Sequence, residues 1–282
     1  MRQISYLGPE GTFTELALNC FLSNRKEPLR KLALSSISDL FSSLKEKKSD
    51  MIIVPIENST EGVVTPVFDA LLTLEEQTIS SEILLEINQC LMTKGPLSFD
   101  EITDIVSHPQ PIAQCRHYIQ RYLPNARVHY AESTAEAAKW VSQDQDKKGL
   151  AVIGPQLLAE VYHLTLFKTA INDSADNMTR FFVLSTEDTV PTGRDLTTMI
   201  FSTRKDRPGS LADVLSFFSE AGINLTSISS RPAKKGLGDY LFYVDCEGHQ
   251  GESVCAKVLE KVASASSFFK LLGSYEKGKV YR

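Results

Sequence analysis

The feature that most constrains this chain is an alternation. From residue 2 to 185, short apolar runs that read as strands are separated by segments with apolar residues at helical spacing. "QISYLG", "DMIIVPIEN", "ITDIVSH", "ARVHYAES", "GLAVIG" and "TRFFVLST" read as strands. Between them, Leu16 and Cys20 stand four apart. Val67, Phe68, Leu71 and Leu72 form one stripe, Ile112, Cys115, Tyr118, Ile119 and Tyr122 another, and Ala137, Ala138 and Val141 a third. Thr65 is placed to cap the Val67 helix, with Pro66 at its first position. Strands alternating with helices predict an α/β domain with a mainly parallel sheet.

The pattern changes at "STEDTVPTGRD", residues 185–195, whose Ser, Thr, Asp, Pro and Gly suit an exposed connector. Beyond it, "LTTMIFST", "INLTSISSRP", "DYLFYVDCEG" and "FFKLLGSYEKG" read as strands, with "AKKGLG" a turn. "RPGSLADVLSFFSEAG" and "ESVCAKVLEKVAS" read as helices, the first carrying Leu211, Val214, Leu215 and Phe218 on one face and stopping at Gly222. The order βαββαβ predicts a ferredoxin-like unit.

Composition narrows the functions open to this chain. A formal net charge of -5 disfavours nucleic acid, which wants a basic face. No apolar window approaches the length of a membrane span, and "MRQISYLGPEG" lacks the apolar core of a signal peptide, so a cytoplasmic location is expected. The five cysteines, Cys20, Cys90, Cys115, Cys246 and Cys255, are widely spaced without a CxxC pair. That predicts core thiols in a reducing compartment and no zinc site. GxGxxG, GxxxxGK[ST] and GxSxG motifs are all missing from the sequence.

Ligands of an open α/β sheet bind beyond the carboxyl ends of its strands. The loops there are "GPEGTFTE" (8–15), "IENSTEG" (56–62), "SHPQPIAQ" (107–114) and "ESTAEAA" (132–138), while "NMTR" introduces the last strand. They are dense in hydroxyls and amides: Thr12, Thr14, Asn58, Ser59, Thr60, Ser107, Gln114, Ser133, Thr134, Asn177 and Thr179. A Ser or Thr before a helix is ordinarily an N-cap. Several such loops converging beside Arg180, whose guanidinium offers a bidentate fork, point also to a small-anion site. His108 is open to either a structural or an acid–base role, and Glu57 to hydrogen bonding. A site of this kind, without metal or cofactor, can fix a polyanion and donate hydrogen bonds to a developing charge.

In order and spacing, "GPEGTFTE", "VPIENSTEG", "STAEAA" and "NMTRFF" resemble the motifs of prephenate dehydratases, and "RPGSLADVL" and "INLTSISSRP" resemble the ACT regulatory domain that follows in that family. The resemblance implies a two-lobed, periplasmic-binding-protein-like catalytic domain over 1–185, with lobes of about 1–77 plus 176–185 and of 78–175. A linker at 186–195 and an ACT domain at 196–282 would follow. It implies conversion of prephenate to phenylpyruvate with loss of water and carbon dioxide, without a cofactor. The family's Thr-Arg-Phe motif falls on Thr179, Arg180 and Phe181, with Thr179 the catalytic group and Arg180 a carboxylate ligand. The matching substrate contacts are Thr12, Glu57, Asn58, Ser59, Ser107, Gln114 and Thr134, with Phe181. No helical segment precedes residue 4, so a fused chorismate mutase domain is not expected.

For the ACT-like unit the resemblance implies feedback by L-phenylalanine through Gly209, Leu211, Asn224, Leu225, Ser230, Arg231 and Pro232, in a homodimer or homotetramer. The family's glutamate before Ser-Arg-Pro is Ser229 here, and its Gly-Ala-Leu reads Gly209-Ser210-Leu211. An arogenate dehydratase would carry the same motifs. A non-catalytic solute-binding or amino-acid-sensing protein would share the architecture.

Overall fold

The computed structural model describes residues 2–144, 148–204, 207–233 and 240–282. The first stretch comprises β1 (Gln3–Leu7), α1 (Phe13–Ser23), β2 (Arg30–Leu34), α2 (Ile37–Lys45), β3 (Met51–Asn58), β4 (Gly62–Val63), α3 (Thr65–Leu71) and β5 (Thr78–Glu86). Next come β6 (Cys90–Thr93), β7 (Asp104–Ser107), α4 (Pro109–Gln114), α5 (Arg116–Tyr122), β8 (Arg127–Tyr130), α6 (Thr134–Gln143), β9 (Leu150–Gly154), α7 (Leu157–Val161), β10 (Thr165–Lys168) and β11 (Met178–Ser185). The last stretch is β12 (Asp195–Thr203), α8 (Ser210–Glu220), β13 (Leu225–Pro232), β14 (Tyr240–Glu247), α9 (Ser253–Ala265), β15 (Ser266–Glu276) and β16 (Val280–Tyr281).

Two compact units result. One contains Met1–Val64, Ile83–Phe181 and Val280–Arg282; the other contains Thr65–Glu82 and Phe182–Lys279. The strands of the first unit fall into two sheets. One follows the order β16-β5-β11-β3-β1-β2, with β4 on β3; the other runs β10-β6-β9-β7-β8. β1 pairs parallel with β2 and β3, and β7 pairs parallel with β8 and β9. β6 is antiparallel to both β9 and β10, so the second sheet is mixed rather than uniformly parallel. Met51 to Val54 of β3 are fully buried, as expected of a strand covered on both faces.

The chain leaves the first sheet after β5, not at residue 78. Residues 78–86 were expected in the second lobe, but Leu84 pairs with Val280 in the first sheet. The two crossings between sheets lie side by side. Ile87 N donates to Asn177 O at 2.7 Å and Ile171 N to Gln89 O at 2.9 Å.

One expected helix is two. The Ile112–Tyr122 stripe breaks at Cys115 (φ -115, ψ 19), between α4 and α5. Asp173 supplies the reason. Its carboxylate accepts from His117 N at 3.0 Å and Tyr118 N at 3.3 Å, and its N–H donates to Gln114 O at 2.7 Å, replacing bonds a continuous helix would make itself.

In the second unit β12–α8–β13–β14–α9–β15 forms a four-stranded sheet of order β13-β14-β12-β15, antiparallel throughout, as the βαββαβ reading predicts. Met199, Phe201, Val214, Phe218, Val258 and Val262 pack between sheet and helices. Gly222 (φ 69) ends α8. Most of the expected "AKKGLG" turn, residues 234–238, lies outside the described residues. Three neighbouring strands of this sheet hold segment 65–74. Arg231 Nη2 donates to Thr65 Oγ1 at 2.6 Å, Tyr243 Oη to Phe68 O at 2.9 Å, and Lys270 Nζ to Leu72 O at 2.8 Å and also to Leu74 O. This is why a segment so early in the chain belongs to the later unit. Cys90, Cys115, Cys246 and Cys255 are buried, and all five cysteines are free thiols. No helix among the described residues is long and apolar enough to cross a membrane.

Candidate active site

The strand ends of the first unit position the site. β3 finishes in Glu57-Asn58, and its neighbour in the sheet, β11, opens with Met178-Thr179. Asn58 lies 9 % exposed between them. Its Nδ2 donates to Thr179 Oγ1 at 2.9 Å and to Asn177 Oδ1 at 2.8 Å, while its Oδ1 accepts from Thr60 N at 2.9 Å and Glu61 N at 3.0 Å. Both ends of this amide are therefore occupied. Ser59 ties the same strands: its N donates to Met178 O at 2.8 Å and its Oγ accepts from Met178 N at 3.0 Å. Thr179 is likewise 9 % exposed.

An amide N–H only donates, so Asn58 occupies a lone pair of the Thr179 oxygen and directs the threonine proton elsewhere. Side chains alternate along a strand. Thr179 and Phe181 share one face, and Arg180 leaves on the other, half-buried. Phe181 is 1 % exposed and belongs to the core.

The remaining predicted residues divide by what their polar atoms already do. Thr12 caps α1: Oγ1 accepts from Glu15 N at 3.3 Å and donates to Leu7 O at 3.2 Å. Glu15 in turn accepts from the N–H of Gly11, the residue before the cap, at 2.8 Å. Ser133 caps α6 in the same way, accepting from Glu136 N at 3.0 Å, and Thr134 is the first helical residue. Ser107 is fully buried and gives its proton to Ile153 O at 2.6 Å. Gln114 ends α4 with its Oε1 2.9 Å from Gln89 Nε2. Glu57 is half-buried and stands opposite Val63. His108 caps α4, its Nδ1 accepting from Gln110 N at 3.3 Å, which is a structural use.

The two sheets meet at Gly11. Its φ is +84, and a Cβ there would lie 2.6 Å from Leu158 Cδ2 on α7, so glycine is needed both for backbone and for space. Gly154 is similarly shut in, a Cβ meeting Leu158 at 2.5 Å and Thr134 Cβ at 3.2 Å. The loop 8–15 of the first sheet and the loops after β8 and β9 of the second are thereby brought to one place. Nearby, burial and the Glu15 and Glu10 carboxylates push the Tyr6 phenol far above the usual tyrosine range, which keeps it protonated.

Sequence reasoning singled out Asn58 and Thr179 but not their pairing, and it passed over Gln89. Asn177 carried a signal, an amide just before the strand. Gln89 carried none, since "INQC" reads simply as the continuation of an apolar strand.

The fold and these strand ends define an α/β protein of two sheets, with donor-rich loops where the sheets meet, and a ferredoxin-like unit appended. Comparison with known sequences agrees. The prephenate dehydratase family profile matches residues 4–189 and the ACT domain profile residues 198–264. The chain belongs to the prephenate dehydratase family. It is 38% identical over 277 residues to the bifunctional chorismate mutase/prephenate dehydratase of Aquifex aeolicus, covering 98% of this chain and 74% of that one. With the prephenate dehydratase of Bacillus subtilis it shares 33% identity over 284 residues, 97% of this chain and 98% of the other. The solved prephenate dehydratase of Arthrobacter aurescens, in complex with L-Phe, superposes with a TM-score of 0.85 at 33% identity, covering 98% of this chain and 90% of that one.

Proposed function

We propose that the chain catalyses the decarboxylative dehydration of prephenate to phenylpyruvate, and that residues 1–185 carry the catalysis. The observation that carries this reading is the buried Thr179 hydroxyl, 2.9 Å from an Asn58 amide whose other atoms are all engaged. Its proton is left for an acceptor other than Asn58. Prephenate presents one in its ring hydroxyl. The bond from the ring to its carboxylate breaks, and the electron pair enters the ring. The opposite C–O bond then breaks, and the departing oxygen takes up one proton to leave as water. Carbon dioxide and an aromatic ring remain. Thr179 supports the departing oxygen by hydrogen bonding, and solvent makes good the proton. A donor already in place costs no reorganisation as charge develops. Neutral donors suit this chemistry, because a cation on the departing carboxylate would stabilise a charge that has to vanish.

Arg180 is the proposed partner of the carboxylate that survives, and Gln114 a donor to it. Leaving β11 on opposite faces, Arg180 and Thr179 would approach substrate from different sides. Thr12, Ser59, Ser107 and Thr134 shape the loops, since their hydroxyls or backbone positions already serve caps and carbonyls.

Residues 196–282 are proposed to sense L-phenylalanine, with 186–195 as linker. Gly209 and Leu211 open α8, and Ser230–Pro232 end β13, which returns antiparallel to it. Asn224 precedes β13 and Leu225 starts it, roughly 20 Å from Arg231 along the strand. That span is too long for one amino acid to bridge. β13 is an edge strand, so antiparallel pairing with a second copy would set Leu225 of one chain beside Arg231 of the other. A homodimer, or a tetramer built from it, is the proposed state, and the cytoplasm the proposed compartment.

The test is purified protein supplied with prephenate, and separately with arogenate, following phenylpyruvate or phenylalanine with and without added L-phenylalanine. Turnover of prephenate that falls on adding phenylalanine is expected. No product from prephenate would remove the reading.

A further inference from the structure

We infer that Gln89 is a positioning residue for this reaction, fixing which end of the Gln114 amide faces the substrate. The inference rests on the reading that Gln114 contacts prephenate. Gln89 sits on the first crossing between the two sheets and is 2 % exposed. Its main chain is pinned to the returning crossing: N donates to Asn172 Oδ1 at 3.1 Å, and O accepts from Ile171 N at 2.9 Å. With the backbone held, the side chain has a defined reach, and Nε2 donates to Gln114 Oε1 at 2.9 Å. The main chain of Gln114 is anchored to the same crossing, its O accepting from Asp173 N at 2.7 Å.

The consequence is directional. Gln114 Oε1 is used by Gln89, so the Gln114 amide presents its two N–H donors, the polarity that suits a carboxylate or carbonyl oxygen. The arrangement leaves Gln89 Oε1 buried without a partner, and buried polar atoms are almost always satisfied. Turning Gln89 over would satisfy that oxygen with a Gln114 donor. It would also aim the lone pairs of Gln114 at an anion. The Gln89 Nε2 bond to Gln114 Oε1 is what keeps the donors facing out, and the unpaired Gln89 oxygen is its cost.

Steady-state kinetics on prephenate would test this with the wild type, Gln89→Glu, Gln89→Leu, Gln114→Ala and the double variant Gln89→Glu/Gln114→Ala. A carboxylate in place of the Gln89 amide keeps size and polarity but cannot donate, so Gln114 must turn its donors inward. Gln89→Glu is expected to lower kcat/KM roughly tenfold, mainly through KM. The double variant should be no worse than Gln114→Ala alone, because Gln89 acts through Gln114. Thermal midpoints, read in parallel, should move by only about a few degrees for Gln89→Glu. The inference is overturned if Gln89→Glu and Gln89→Leu keep wild-type kcat/KM, or if the losses at the two positions multiply. A wild type that leaves prephenate untouched would instead remove the functional reading, and this inference with it.

Discussion

Arg231, near the end of β13, donates to the hydroxyl of Thr65 at 2.6 Å, with its guanidinium carbon 6.0 Å from the centre of the Phe68 ring. The bond joins the first residue of α3 to the edge strand of the regulatory sheet, across 166 positions of sequence. Arg231→Ala removes this bond and the packing on Phe68. It should destabilise the protein by about 1–3 kcal/mol, read as a lower urea midpoint with an unchanged slope. An unchanged midpoint would mean that the contact contributes nothing. If Arg231 also holds effector, the same variant should lose inhibition by phenylalanine.

Thr179 and Asn58 are expected to fail together. Thr179→Val keeps the shape and removes the hydroxyl, so kcat should fall by at least about a hundredfold with KM little changed. Thr179→Ser should retain far more activity. Asn58→Asp exchanges the donor for an acceptor, leaving the threonine proton free to turn toward the carboxylate, and should cost kcat rather than KM. A Thr179→Val enzyme with full turnover and only a raised KM would reduce the hydroxyl to a binding group.

Arg180 separates charge from structure. If it grips a substrate carboxylate, Arg180→Lys should raise KM about tenfold or more while the fold survives, because an ammonium cannot reproduce the planar fork. A fall in thermal midpoint with kinetics unchanged would mark it as structural.

Asp104 should leave a signature in acid. Burial opposes its charge, but hydrogen bonds from His129, Thr103 and Arg127 override that and bring its pKa from 3.8 down to about 2. His129 Nε2 lies 2.6 Å and Arg127 Nη2 3.2 Å from the carboxylate. The unfolded chain therefore takes up this proton at higher pH than the folded one. The stabilisation is complete above about pH 4 and is lost as pH falls toward about 2. It amounts to at most about 2 kcal/mol, and less to the extent that the exposed Arg127 is screened. Urea midpoints measured from pH 6 to pH 2 should show a shallower acid limb for Asp104→Asn than for wild type. Identical limbs would refute this.

Much of the fold was legible in short windows. The apolar runs of β3 and β11, the stop at Gly222 and the βαββαβ order depend on residues only a few positions apart, where strand and helix periodicity act. The helix caps at Thr12 and Ser133, each backed by a glutamate that accepts from the preceding N–H, are local in the same sense, and they explain why those hydroxyls were conspicuous. Illegible elements were those whose pattern is weak by itself. β2, "RKLAL", is exposed at its first two residues and reads as polar. β10 is a largely exposed edge strand, and the residues of β5 fall within the expected second lobe although they pair in the first sheet, because nothing in their sequence names their neighbour.

By itself, then, the sequence determined where the chain is strand or helix, which residues face a core, and which loops collect hydroxyls and amides, because those properties follow from backbone geometry over a turn or two. Only the tertiary structure decided that Asn58 spends its amide on Thr179, that Asp173 divides one helix into two, and that residues 65–74 answer to the regulatory sheet. Each is a competition among distant donors and acceptors for the same partner, and which pairing wins depends on what the packed core brings within hydrogen-bonding reach.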